Sequence, residues 1–148
     1  MTRIKSLLAA AALTAAAAVP LAFAEEVNTS AEAAYAEMTQ MLGAVPTFVK
    51  SFPKAGIAGA WAEVRDLQFS DKTALDAKTK ALIGLAVAAQ IPCMYCIYED
   101  TAGAKRAGAS QEEIQEAVAV AALTRHWSTV YYGNQIDFEQ FKKEMGGM

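Results

Sequence analysis

Cys93 and Cys96 are the only cysteines of the 148-residue chain, and they stand three residues apart in Cys93–Met94–Tyr95–Cys96. At that spacing two helical side chains project from one face. Pro92 directly precedes them, and proline favours the first helical position. Both thiols are therefore expected in the first turn of a helix. Unpaired backbone N–H groups and the helix dipole there stabilise a thiolate. A thiolate attacks a peroxide or a disulfide, and a neighbouring thiol resolves the product into an internal bridge. Reversible dithiol redox is the chemistry this spacing points to, although a bare C-x-x-C does not select the substrate.

Other uses of the pair are weaker. A bridge across so short a loop constrains the unfolded chain little, which argues against a structural staple. Two independently buried small hydrophobes have no reason to adopt this spacing. A structural zinc site usually takes four ligands; no second C-x-x-C exists, and the single histidine, His126, lies 30 residues beyond Cys96. No metal or other cofactor is expected.

Two more titratable groups join the candidate catalytic set of Cys93, Cys96, Asp100 and His126. Asp100 follows Cys96 by four residues and Cys93 by seven, on the same helical face. It is either a proton acceptor for a thiol or, with Glu99, part of a solvated helix edge; as an anion it raises a thiol pKa. His126, in Thr124–Arg125–His126–Trp127, sits toward the end of a helix expected to be buried. It is either a packing residue or a proton shuttle, being the one side chain whose ordinary pKa lies near neutrality. Tyr95, Tyr98, Tyr131 and Tyr132 are expected in the core or in a pocket wall.

An all-α domain must position these groups, because the chain is Ala-rich and its apolar residues recur at helical spacing. Helices are expected over 30–43, capped by Ser30 and ended by Gly43, and over 54–67, with Ile57, Ala60, Trp61 and Val64 on one side. Between them, Val45–Pro46–Thr47–Phe48 turns into a short helix stopped by Pro53. Asp76 should open a helix to Gln90 that is apolar nearly all round and so covered on several sides, in the core or between subunits. The cysteine helix should run from Pro92 to a left-handed cap at Gly108. Ser110–Gln111–Glu112–Glu113 is a capping box for a helix running toward Trp127, and a last helix covers 136–144.

The first 24 residues read as a secretory signal peptide, with Arg3 and Lys5, an apolar run from Leu7 to Leu21 and a small-residue cleavage pattern at Ala22–Phe23–Ala24. The run is short for a spanning helix, which needs about 20 apolar residues. The expected domain is 25–148, exported, in the periplasm of a bacterium. Losing the two leader charges takes the formal net charge from −3 to −5. An acidic surface without a basic cluster argues against nucleic acid and against an anionic membrane as partners.

Lys80–Ala81–Leu82–Ile83, Leu85–Ala86–Val87–Ala88–Ala89, the cysteine pair, Gly108–Ala109–Ser110 and Glu112–Glu113–Ile114 together resemble the alkylhydroperoxidase AhpD-like proteins of the carboxymuconolactone decarboxylase superfamily. The resemblance extends from about Tyr35 to Phe141. It implies an AhpD-like helical domain of about six or seven helices that assembles into homo-oligomers, often trimers or hexamers. It also implies a peroxiredoxin-like dithiol site that reduces small-molecule hydroperoxides or disulfides and is re-reduced by a thiol partner protein, with Cys96 attacking and Cys93 resolving. Two positions depart from the family pattern: Asp100 stands where the family has a histidine, and Ala81 where it has a glutamate. Loss of a positioned general base costs about 10²–10⁴-fold, so the departures imply slow peroxidase turnover, a relay rebuilt around Asp100 or His126, or another substrate. Two other activities fit the same fold: a lyase or isomerase acting on a small lactone, and a redox-inactive binding module.

Overall fold

The computed structural model describes residues 22–146, with side chains from Ala31 onward. It is all-α: six α-helices and two short non-α turns, with no strand among the described residues. The expected leader falls on residues 1–24 and so lies almost wholly outside the described residues. Helix α1 spans Ala22–Leu42 and thus begins earlier than the Ser30 cap predicts, in keeping with the high helix propensity of its Ala- and Glu-rich upstream sequence. No helix among the described residues is long and apolar enough to cross a membrane.

The chain groups into two compact units divided between Ala62 and Glu63. In the first, Ala31, Ala34 and Met38 form a stripe on α1 and pack with Ile57 and Trp61 of α2 (Lys54–Glu63). The indole N–H of Trp61 donates to Glu37 at 2.8 Å, which satisfies its one polar atom inside that cluster. Gly43 ends α1 with φ +83°, a left-handed conformation that glycine adopts without a β-carbon penalty. A 3-10 turn follows at Thr47–Ser51.

The second unit opens with a π-helical turn at Val64–Phe69, where an uninterrupted α-helix to Leu67 was expected. Helix α3 (Ala77–Gln90) starts as predicted at Asp76, whose carboxylate accepts the Thr79 N–H at 2.7 Å. Helix α4 (Met94–Arg106) ends in a Schellman motif: Ala109 N–H donates to Ala104 O and Gly108 N–H to Lys105 O, with Gly108 at φ +84°. Ser110 and Glu113 close the expected capping box at the head of α5 (Gln111–Gly133). Asp137 caps α6 (Phe138–Glu144).

Helix α3 packs against both α4 and α5. Ala81 and Leu85 of α3, Ala104 of α4 and Ile114 of α5 form the core of this unit, with Leu82, Ile97 and Ala109 around it. Small residues at 81 and 104 let α4 approach α3 closely. Within the chain α3 is buried at Lys80, Ala81, Leu85 and Ala88, while Ile83 and Val87 are about half exposed, 49% and 54%, which leaves them to the expected cover between subunits. Other expectations are corrected here. Helix α5 continues past Trp127 to Gly133, and residues 122–129 are exposed, so His126 is not in a buried helix end. Tyr95, Tyr98 and Tyr132 are exposed rather than in the core.

Candidate active site

The α3–α4 link holds the dithiol. Ile91 and Pro92 make a two-residue turn, and Cys93 N–H donates back to Ala88 O at 3.1 Å, tying the first cysteine to the end of α3. The turn uses up Pro92, so α4 does not begin there as expected. Cys93 is instead the N-cap, in extended conformation, and Met94 is the first helical residue. Cys96 N–H donates to Cys93 Sγ at 3.3 Å, as serine or aspartate oxygens accept at other helix starts. Negative charge on Cys93 sulfur is therefore favoured by a backbone donor and by the positive end of α4. The two cysteines are joined in a disulfide, with Cα atoms 5.3 Å apart. Both are half-buried, while Met94, Tyr95 and Tyr98 beside them are exposed.

Asp100 lies one helical turn beyond Cys96, a spacing of about 5–6 Å between β-carbons on a helix surface. Its carboxyl group is half-buried and rests against Gly84 of α3: a β-carbon built on Gly84 would sit 2.7 Å from Oδ1, 2.8 Å from Cγ and 2.9 Å from Oδ2. Partial burial raises the Asp100 pKa above the ordinary carboxylate value, and repulsion from Glu99 adds to it. Among the described residues no hydrogen-bond donor neutralises it. The solvated-edge reading suits Glu99, which pairs with Arg106 at 2.9 Å in the open, and not Asp100.

His126 makes no hydrogen bond to Cys93, Cys96 or Asp100 among the described residues. It is exposed on α5 and meets Trp127 edge to face, with ring centroids 5.4 Å apart. Ala81 is 3% exposed, and a β-carbon built on Gly103 would lie 3.7 Å from its own, so this position is plain apolar packing.

Two residues of this region escaped the sequence reading. Lys80 is buried with 8% exposure, and its Nζ donates to Leu67 O at 2.9 Å, Ser70 O at 2.7 Å and Thr73 Oγ1 at 2.9 Å. The three donors of one ammonium pin the chain between the π-helical turn and α3. With Leu67, Thr73, Leu75, Ile83 and Gly84, the Lys80 stem lines an apolar groove of about 380 Å³. A lone lysine inside the apolar run of α3 was the available signal for Lys80. Gly84 gave none, because only the packing of α4 on α3 shows what its missing β-carbon admits.

Comparison with known proteins places this geometry. The structure superposes on the alkylhydroperoxidase AhpD core from Rhodospirillum rubrum with a TM-score of 0.65, at 23% identity, covering 80% of this chain and 90% of that one, a likeness of fold. Over 81 residues the sequence is 40% identical to "Uncharacterized protein 4 in cox locus" of Paracoccus denitrificans, covering 55% of this chain and 72% of that protein. The matched stretch characteristic of the carboxymuconolactone decarboxylase family runs over residues 55–135, from α2 through the capped dithiol to the end of α5. With that stretch exceeding half its length and carrying every element that frames Cys93, Cys96 and Asp100, the chain belongs to the carboxymuconolactone decarboxylase family.

Proposed function

We propose that the domain is an exported dithiol–disulfide oxidoreductase that cycles the Cys93–Cys96 pair and reduces small hydroperoxides or disulfides. The observation that carries this reading is the disulfide at the start of α4 with a half-buried carboxylate one turn away. In the reduced protein Asp100 accepts the Cys96 proton. The Cys96 thiolate attacks the distal oxygen of the hydroperoxide, the O–O bond breaks, and the alcohol leaves after taking up a proton. Cys96 is then a sulfenic acid. Cys93, held as a thiolate by the helix cap, attacks its sulfur; the S–S bond forms, the S–O bond breaks, and the hydroxide takes up a proton from solvent and leaves as water. The hydroperoxide gains two electrons and the dithiol loses two.

A partner dithiol returns those electrons. One of its thiolates attacks Cys96, and Cys93 departs, since the sulfur better stabilised as an anion is the better leaving group; the partner's second thiol then releases Cys96 and closes the partner's own disulfide. Ala81 offers no second proton carrier, so slow turnover on hydroperoxides is part of this reading. The signal-peptide pattern of residues 1–24 supports export, and periplasmic protein should begin at Glu25 on N-terminal sequencing.

Stopped-flow oxidation of the reduced protein by cumene hydroperoxide tests the assignment. Wild type should consume one equivalent per dithiol, and Cys96→Ser should lose the reaction. Equal inactivity of both proteins with free thiols would remove the peroxidase step. The reduction potential tests the redox-inactive alternative: a value below about −300 mV is typical of structural bridges.

A further inference from the structure

We infer that Gly84 is a positioning residue for the dithiol site: lacking a β-carbon, it admits the Asp100 carboxyl group against α3, half out of water and one turn from Cys96. This rests on the proposed role of Asp100 as the proton carrier for Cys96. The three atoms of the carboxyl group all lie within 3 Å of where a Gly84 β-carbon would stand. Real β-carbons do not make such contacts, so any other residue at 84 must drive the carboxyl group away. Glycine is also costly at the middle of a helix, and α3 carries it at the one position facing Asp100. Around Gly59 and Gly133 the space is open, and a β-carbon on Gly56 would meet the edge of the Phe52 ring at 3.0 Å, so among the described helical glycines only Gly84 has a carboxyl group in that place.

The surroundings leave this contact in control of the carboxyl group. Within α3 the charged residues are Lys78 and Lys80. Lys78 is paired with Glu113 at 2.7 Å, and Lys80 is held by Leu67, Ser70 and Thr73. On α4 the charge nearest in sequence is Glu99, which repels Asp100. Nothing in this set draws Asp100 into place by attraction. Its position follows from helix register on α4 and from the room left at Gly84. Held there, one helical turn from Cys96, the carboxylate raises the thiol's proton affinity as a neighbouring anion and stands ready to take its proton. Pushed into solvent, it does neither.

The test compares Gly84→Ala, Asp100→Asn and Gly59→Ala in the full chain. One readout is the carbon-13 shift of the Asp100 carboxyl against pH in the oxidised protein. The other is the pH profile of Cys96 reacting with the disulfide probe DTNB, in a Cys93→Ser background. With Gly84 intact, the Asp100 carboxyl should titrate above the ordinary carboxylate range. G84A should return it to that range and move the Cys96 profile to lower pH, as D100N does. G59A should leave both unchanged. If D100N does not move the Cys96 profile, the proton-carrier reading falls and this inference with it. If D100N moves the profile and G84A moves neither readout, the inference about Gly84 alone is overturned. Should G84A fail to fold, the double variant G84A/D100A decides: recovery of the fold locates the clash at the carboxyl group, and continued failure places it elsewhere and overturns the inference.

Discussion

Asp100 is the residue whose environment has a measurable consequence for stability. Its folded-state pKa is raised by burial first and by Glu99 second. The folded protein therefore binds this proton more tightly than the unfolded chain does. Its contribution to stability is fully present below the ordinary carboxylate pKa and is lost as pH rises through the higher folded value. D100N, which keeps the shape without the charge, should melt higher than wild type at neutral pH. The gap should close as pH falls below the ordinary carboxylate range, as thermal melts across pH can check. At Cys93 the relevant force is the backbone: the Cys96 N–H donor makes this sulfur the one that ionises more readily. Alkylation of the single-cysteine variants against pH should show Cys93 reacting at lower pH than Cys96.

Among the elements, α5 and the segment before α3 depend on specific caps and ties. Ser110→Ala removes the hydroxyl that accepts from Glu113 N–H. It should cost about 0.5–2 kcal/mol, seen as a lower Tm with the dithiol potential unchanged. Lys80 has a different task. Lys80→Met keeps the apolar stem and strands the oxygens of Leu67, Ser70 and Thr73. Bonds from a charged donor contribute about 1.5–3 kcal/mol each, partly offset because no ammonium then needs burying. A net loss of about 1–3 kcal/mol is expected, with hydrogen exchange quickening over residues 67–75 and not in α5. The sequence placed the starts of α3 and α5 at Asp76 and Ser110. It missed the tie, because a lysine side chain bonded to main-chain oxygens in a neighbouring segment has no signature in spacing.

For the whole molecule, the exposed apolar surface is the outstanding feature. Val120, Leu123, Trp127 and Tyr131 form one stripe on α5, and Tyr95 and Tyr98 stand exposed on α4. Each aromatic side chain can bury about 150–250 Å², so these helices carry the roughly 800 Å² per partner that a stable interface takes. We propose that copies of this chain associate through them, in line with the homo-oligomer the family resemblance implies. Leu123→Glu should weaken assembly at least about tenfold, near 1.4 kcal/mol, in sedimentation equilibrium. The melting of the separated subunit should change by no more than about 0.5 kcal/mol. A wild-type protein that stays monomeric at tens of micromolar would sink the proposal.

Local rules sufficed for much of this protein. Apolar periodicity, Asp76, Gly108 and the Ser110–Glu113 box are short-range signals, and the helices they predict are present because capping and propensity act within a few residues. The pairing of Cys93 with Cys96 at the head of α4 was likewise legible, being a matter of helical repeat. What needed the tertiary structure was anything set by a second element. The α3–α4 turn moved Pro92 out of the helix and made Cys93 the cap. Packing of α4 on α3 left Ala81 in the core and half-buried Asp100 against Gly84, and the course of α5 left His126 exposed within the chain. Two cysteines at helical spacing thus specify a dithiol on their own, whereas the carboxylate that could serve it depends on a vacant β-carbon position 16 residues earlier on a neighbouring helix.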